Sequence, residues 1–181
     1  MKKYRGNALA SLLALAAGCG AALPVLADND CVDFKWDVSN ERALYAQSPV
    51  ELTAGKDLAT APVIAPNRLY SLRLTSQDRV AFSVSPGKNS SAASTFAGLA
   101  TLKIAAPGSY RIAVDAPFWI DVVSNGKLVQ PTDYQGQRSC SAPHKIVVFD
   151  LFDTKPFVLQ FSSAQQDHVM VTVTQAPPRK L

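Results

Sequence analysis

One short segment of the sequence concentrates side chains that could bind a ligand or take part in catalysis. It runs from Thr132 to Lys145 and reads TDYQGQRSCSAPHK. Its carboxylate, phenol, amide, guanidinium and imidazole groups supply almost every type of hydrogen-bond donor and acceptor. Because binding residues commonly lie on loops held by a rigid scaffold, we predict a ligand-binding loop here. The candidate residues are Asp133, Tyr134, Gln135, Gln137, Arg138 and His144, with Trp119 as an aromatic face for a sugar ring.

Two alternatives stay open for this segment. Trp36 could supply the stacking face in place of Trp119, since the chain contains two tryptophans. Tyr134 could instead anchor the loop by packing, and Arg138 could be a solvated surface charge. In that case the segment has a structural role only.

Residue spacing gives little support to catalysis. Cys140 and His144 could form a nucleophile and base, but no third group that orients the histidine can be identified. The sequence contains no H-x-H, H-E-x-x-H or C-x-x-C spacing and no G-x-S-x-G elbow. A glycosidase pair could be drawn only from carboxylates at strand ends, namely Asp115, Asp121, Asp150 and Asp153. We therefore predict no catalytic residues, no metal site and no cofactor.

The first 27 residues have the pattern of a secretory signal peptide. Basic residues precede an apolar run of about fifteen residues, and Val25 and Ala27 provide small side chains before a cleavage point. We expect a periplasmic or secreted protein with no transmembrane span in the mature chain. The alternative is a lipid anchor on Cys19, because Leu15 to Cys19 loosely fits a lipoprotein signal.

The charge of the expected mature chain excludes some partners. Removing Lys2, Lys3 and Arg5 leaves 15 basic against 14 acidic residues, a net charge of +1. Neither a nucleic acid nor an anionic membrane surface is predicted as a partner. Roughly 154 residues suit one domain, 28–181, which is long enough to bury a sizeable core.

Two cysteines, Cys31 and Cys140, remain after cleavage. In an oxidising compartment such a pair most often forms a disulfide. The bridge would join the mature N-terminus to the predicted binding loop. It would close a loop of roughly 110 residues and stabilise the fold by about 4–5 kcal/mol at most.

The elements that must position these residues are predicted to be strands. The stretch from Gly98 to Val129 alternates apolar and polar residues, and Asn125-Gly126 is a strong signal for a two-residue hairpin turn. Further alternating runs include Arg79 to Val84 and three runs between Lys145 and Thr174. The fold class is therefore all-β: a single antiparallel β-sandwich, or jelly roll, with one short N-terminal helix in the second part of Cys31 to Ala46, capped by Ser39 or Asn40.

Three segments are predicted to lie outside the strands. Residues 85–94 have the composition of a surface loop, which could also serve as a lid. Residues 130–144 form a second long connection. Residues 175–181 are expected to fray, because Pro177-Pro178 cannot continue a strand.

Three segments carry a resemblance: CVDFKWDVSNERALYA, AGLATLKIAAPGSYRIAVDAPFWIDVV and DYQGQRSCSAPHKIVVFDL. They resemble a family of short exported proteobacterial proteins of uncharacterised function, some labelled homogentisate 1,2-dioxygenase. The resemblance implies secretion and a β-rich domain. That dioxygenase is a much longer cupin enzyme that holds iron with two histidines and a glutamate, whereas this chain has only His144 and His168. The pattern G-x-Y-x-I-x-V-x-x-P-x-W-I-D-V-V is also similar to bacterial pre-peptidase and carbohydrate-binding sandwich modules.

The sequence thus favours an exported, non-enzymatic module that binds a small ligand, a glycan or an envelope protein. A structural or accessory envelope protein is the second hypothesis. A non-haem iron dioxygenase, using His144 and His168, is the third and most distant.

Overall fold

The computed structural model describes residues 34–88, 94–153 and 155–177. The predicted signal peptide, Cys19 and Cys31 therefore lie outside the described residues. Within these ranges the chain forms one helix and twelve strands, as follows. The helix is α1 (Ser39–Tyr45), and the strands are β1 (Val50–Thr53), β2 (Val63–Ile64), β3 (Leu69–Arg73), β4 (Thr75–Ser76), β5 (Phe96–Leu102), β6 (Gly108–Val114), β7 (Trp119–Ser124), β8 (Lys127–Val129), β9 (Pro131–Gly136), β10 (Lys145–Leu151), β11 (Phe157–Ala164) and β12 (His168–Gln175).

The strands form two sheets, and the predicted all-β sandwich is confirmed. The first sheet has the order β1-β3-β12-β6-β10-β9, and the second has the order β2-β5-β11-β7-β8 with β4 beside β5. Most neighbours are antiparallel, but β1 pairs with β3 in parallel and so does β2 with β5. Both sheets are therefore mixed, with the parallel pair at one edge of each.

The main core lies between the inward faces of the two sheets. Ile112 at its centre is fully buried and has Val147 and Val173 as its neighbours on the adjoining strands. From the sequence we predicted Val148 as the core residue of β10, and this is wrong, because Val147, Phe149 and Leu151 are the residues that face the main core. Both faces of β10 are covered, so its apolar residues form a continuous run. Such a run does not show which residues point toward the main core.

The N-terminal segment covers the outer face of the first sheet. Phe34 and Val38 pack on Ala113, Cys140 and Ile146 in a second apolar cluster. The predicted short helix follows at once and lies against β12. Asp37 accepts a hydrogen bond from the amide of Ser39 at 2.9 Å, which assists the helix start.

The segment after β4 is not the strand that the alternation of Val80, Phe82 and Val84 predicted. It begins with a single 3₁₀ turn, Gln77–Arg79, and then crosses the outer face of the second sheet. Val80 packs there on Ala97 and Leu99 instead of in the main core. The alternation is thus real, but it reflects packing on an outer face.

Gln160 of β11 fixes the continuation of this segment. Its side chain is fully buried, and its Oε1 accepts hydrogen bonds from the amides of Ser83 and Val84 at 3.0 and 3.2 Å. Its Nε2 donates to the carbonyl oxygen of Val84 at 3.0 Å. This clamp leads the chain toward Gly87 and Lys88, just before residues 89–93, which lie outside the described part.

Candidate ligand-binding cleft

The segment predicted as one binding loop contains an edge strand, β9, which separates its candidate residues. Edge strands pair on one side only, so β9 does not need the apolar alternation that would have revealed it. Pro131 begins the strand, a position that proline tolerates. Because successive side chains point to opposite faces, Tyr134 points away from Asp133 and Gln135.

Asp133 and Gln135 hold the N-terminal segment. The amide of Lys35 donates to Gln135 Oε1 at 2.8 Å, and Lys35 Nζ lies 2.5 Å from Asp133 Oδ1. The ring of Trp36 lies beside them, with Lys35 Nζ 4.7 Å and the Arg111 guanidinium carbon 5.4 Å from its centroid. These polar groups and Trp36 are engaged in packing the N-terminal segment onto the sheet.

Gln137, Arg138 and His144 lie where the chain turns from β9 to β10. The amide of Gln137 donates to the carbonyl oxygen of His144 at 2.8 Å, and His144 Nδ1 donates to the carbonyl oxygen of Cys140 at 2.9 Å. The amide of His144 also donates to Val114 at 2.8 Å. Arg138 is exposed. The imidazole therefore supports the turn.

Tyr134 and Trp119 meet at a cleft of about 520 Å³ on the edge of the sandwich. Trp119 comes from the second sheet and Tyr134 from the first, and Tyr134 is 68% exposed. The structure thus brings together two of the seven residues that the sequence analysis selected. The lining that matters here consists of Trp119, Asp121, Leu128, Tyr134, Lys145 and Val147.

The cleft exists because β8 is too short to cover its neighbour. Asn125 and Gly126 both have positive φ, 49° and 72°, which confirms the predicted two-residue hairpin. Strand β8 pairs with β7 only from Val122 to Ser124. The chain then crosses to the first sheet through Gln130, which leaves the β7 edge at residues 119–121 uncovered by β8.

Asp121 orients the aromatic wall of the cleft. Its carboxylate is 7% exposed, accepts a hydrogen bond from Trp119 Nε1 at 2.9 Å and accepts another from the amide of Gly87 at 3.0 Å. A Cβ at position 87 would fit tightly, because it would lie 3.0 Å from Asp121 Oδ1 and 3.4 Å from Trp119 Nε1. Asp121 therefore fixes the indole and the approach of the 80–88 segment together.

Lys145 brings a half-buried ammonium group to the same place. Its side chain points to the same face of β10 as the core residues of that strand. Lys145 is the first residue of the strand, however, and there the core opens into the cleft. Its Nζ donates to the carbonyl oxygen of Phe118 at 2.8 Å and lies 5.5 Å from the centroid of Trp119. Burial lowers the pKa of Lys145, and the nearby Lys88 lowers it further, while Asp121 acts in the opposite direction.

Asp121, Lys145 and Lys88 were missed as site residues by the sequence reasoning. The signal for Lys145 was present, because residues 145, 147, 149 and 151 share one face of β10 and the other three residues of that face are apolar. A lysine in phase with a core face is uncommon unless it reaches an opening. Asp121 also had a signal, because it lies two residues from Trp119 on the same face of β7. Lys88 had none, since the segment that brings it near Trp119 is held by Gln160.

The other candidate groups are distributed around the molecule. Asp115 accepts from the amide of Met170 at 3.0 Å, Asp150 accepts from the hydroxyl of Ser109, and Asp153 accepts from Ser124 and Asn125. His168 is exposed and adjoins Asp167. Across the three described ranges, no group of three His, Cys, Asp or Glu side chains lies close enough together to hold a metal ion.

Comparison with known proteins adds no family. The sequence matches no protein-family model and no curated protein. In the part of the chain that the structure describes, the helix is neither long nor apolar enough to span a membrane.

Proposed function

We propose that this protein is an exported, non-enzymatic β-sandwich module that binds a sugar ring in the cleft between Trp119 and Tyr134. The observation that carries the proposal is the convergence of two aromatic side chains from different sheets on one opening of about 520 Å³. That volume falls in the usual range for small-molecule sites, about 300–1,000 Å³.

The geometry of the cleft supports a sugar as ligand, because the residues that line the cleft combine aromatic faces for stacking with groups that form hydrogen bonds. Trp119 and Tyr134 offer apolar ring faces, and aromatic rings with a polar tip suit sites that are partly wet. Tyr134 Oη and Lys145 Nζ supply polar contacts at the rim. The hydrogen bond from Trp119 to Asp121 holds the indole before any ligand arrives, so little entropy is lost on binding.

Binding is favoured over catalysis by what the polar groups already do. His144 Nδ1 donates to the backbone at Cys140, and the Asp121 carboxylate accepts from Trp119 and Gly87. A general base must instead be in reach of a substrate proton. These groups serve the architecture of the cleft.

Export and the Cys31–Cys140 disulfide form part of the same proposal. Phe34 and Cys140 belong to one buried cluster. Cys31 precedes Phe34 by three residues, which span at most about 11 Å when extended. Mass spectrometry of non-reduced peptides from exported protein should find a Cys31–Cys140 pair. Two free thiols would contradict this part of the proposal.

A thermal-shift screen against neutral and acidic oligosaccharides and periplasmic metabolites tests the binding function. We expect a ligand that raises Tm in the wild type and loses its effect in folded Trp119→Ala and Tyr134→Ala variants. The matched control is Phe152→Ala, because Phe152 is 67% exposed, close to the 68% of Tyr134, and lies outside the cleft. Arg138→Ala, at the turn, should also keep the effect.

Two outcomes would contradict the proposal. Ligand shifts that survive both aromatic substitutions would place binding outside the cleft. The absence of any shift across the panel would favour the hypothesis of a structural envelope protein, for which a pull-down of envelope partners is the next experiment.

A further inference from the structure

Two lysines approach the aromatic wall of the cleft. Lys145 Nζ lies 5.5 Å and Lys88 Nζ 5.8 Å from the centroid of Trp119. Both distances are near the outer limit of about 6 Å for a cation–π contact. The indole therefore holds the two ammonium groups only weakly, and a stronger counter-charge could engage them.

The single acidic residue of the cleft offsets only part of the charge of these two lysines. Asp121 accepts hydrogen bonds from Trp119 Nε1 and from the amide of Gly87, and it is almost completely buried beneath them. Lys145 lines the opening and Lys88 lies beside its Trp119 wall, so two positive charges accompany one carboxylate, both of whose oxygens accept hydrogen bonds. The formal balance at the cleft is positive, although the expected mature chain as a whole is nearly neutral.

Lys145 also lacks the solvation that an exposed lysine has. Desolvation is the largest cause of its lowered pKa, and the charge of Lys88 is the second. Its Nζ carries three donors, and the hydrogen bond to the carbonyl oxygen of Phe118 uses one of them. An anionic ligand group beside Nζ would compensate both the burial and the repulsion.

We propose that the cleft prefers a sugar ring that carries an anionic substituent, which contacts Lys145 and Lys88 while the ring stacks on Trp119. The inference rests on the proposed binding function and specifies its ligand class. Lysine binds an anion as a point charge, so a carboxylate and a sulfate share the required chemistry. The experiment separates these two sources.

The test compares three forms of one oligosaccharide: neutral, C6-oxidised to the uronate, and C6-sulfated. Binding is measured by calorimetry at low salt. At least one anionic form should bind about tenfold more tightly than the neutral form, as a charge-assisted contact predicts. The preference should weaken with added salt.

Lysine substitutions then locate the preference. Lys145→Met should abolish the difference in affinity between the anionic and the neutral forms. Lys88→Met, at an exposed residue that does not threaten folding, should reduce it. Lys127→Met is the matched control, since it removes the same charge from neighbouring β8 outside the cleft lining and should leave the preference unchanged.

The outcomes distinguish this inference from the proposed function. Equal affinity for all three forms, lost in Trp119→Ala, would overturn the anionic preference and keep the binding function. An anionic preference that survives both Lys145→Met and Lys88→Met would overturn the assignment to these lysines. Failure of all three forms, together with a metabolite hit that depends on Trp119, would overturn the sugar ligand altogether. If no compound binds, both proposals are wrong.

Discussion

The outer face of the first sheet and the cleft at the sandwich edge both contain charged and aromatic residues, but they use them differently. On the outer face, Glu41 is 1% exposed, and its Oε1 lies 3.4 Å from Arg111 Nη1 and 2.5 Å from Thr174 Oγ1. Arg111 Nη1 also donates to the carbonyl oxygen of Asp37 at 2.8 Å. These charges bind one another and attach the N-terminal segment.

In the cleft, the carboxylate is bonded to groups of the chain, and the two ammonium groups lie at or near the opening. Asp121 accepts hydrogen bonds from Trp119 and Gly87, whereas Lys145 lines the opening and Lys88 lies beside the Trp119 ring. The comparison shows that residue type alone does not identify a site. What matters is whether a charged group finds its partner within the chain, and the following variants test that distinction.

Breaking the outer-face pair should have the largest effect. Glu41→Ala leaves the Arg111 guanidinium buried without its carboxylate, and removal of one partner from a buried pair costs about 3–5 kcal/mol. Urea denaturation should show this loss. The exposed Glu51→Ala is the control. Sugar binding by the folded fraction should remain unchanged, and a loss below about 1 kcal/mol would mean that the pair contributes little.

Gln160→Ala should affect both stability and binding. The substitution removes the acceptor for the amides of Ser83 and Val84, and buried groups left without partners cost about 1–3 kcal/mol. It should also release the segment that brings Gly87 and Lys88 to Trp119, so affinity should fall in calorimetry. The exposed Gln47→Ala should change neither quantity. Unchanged affinity in a destabilised Gln160→Ala protein would show that the clamp does not shape the cleft.

The sequence predicted the scaffold well and the site only in part, for physical reasons that individual residues illustrate. Alternation around Ile112 and the Asn125-Gly126 turn determine local strand pairing, so the sandwich was predictable. Strand β9 has one partner strand and polar faces, so its residues resembled a loop. Once the strand is recognised, the opposite orientations of Asp133 and Tyr134 follow from the twofold period.

The remaining part of the site depends on long-range contacts. Gly87 and Asp121 are 34 residues apart, and the Ser83 amide is 77 residues from Gln160. No local pattern reports such contacts. Lys145 is the intermediate case. The sequence showed that it shares a face of β10 with core residues, but only the structure shows that the core opens into a cleft at this position.

Gly87→Ala should alter the cleft with little effect on stability. The new Cβ would lie 3.0 Å from Asp121 Oδ1, so the carboxylate or the segment must shift by a few tenths of an ångström. We expect unfolding free energy to change by less than about 0.5 kcal/mol and sugar affinity to fall several-fold. Gly136→Ala is the control, since the nearest atom to its Cβ would be at 3.8 Å. Equal affinity of the two variants would mean that the indole position is not critical.

Lys145→Met should cause the smallest change in the free energy of unfolding, and the change should have the opposite sign to that of Glu41→Ala. At neutral pH the wild type holds a charged, partly desolvated ammonium, so the variant should be slightly more stable, by no more than about 0.5 kcal/mol. The folded-state pKa of Lys145 is depressed, mainly by burial and then by Lys88, while Asp121 opposes the shift. Between that pKa and the unfolded value near 10.4, the unfolded chain binds more protons, so the contribution of Lys145 to wild-type stability rises with pH.

The extra stability of Lys145→Met over the wild type should therefore be largest at neutral pH and should decrease as the pH approaches the unfolded-state pKa of lysine. Urea denaturation of the variant and the wild type across this range measures the difference directly. Tyr45, whose pKa is raised by burial, affects both proteins alike and cancels. If Lys145→Met instead loses several kcal/mol, as Glu41→Ala should, then the contacts of Lys145 within the chain already compensate its burial. The contrast between the two regions is then wrong at the residue on which the anionic preference depends.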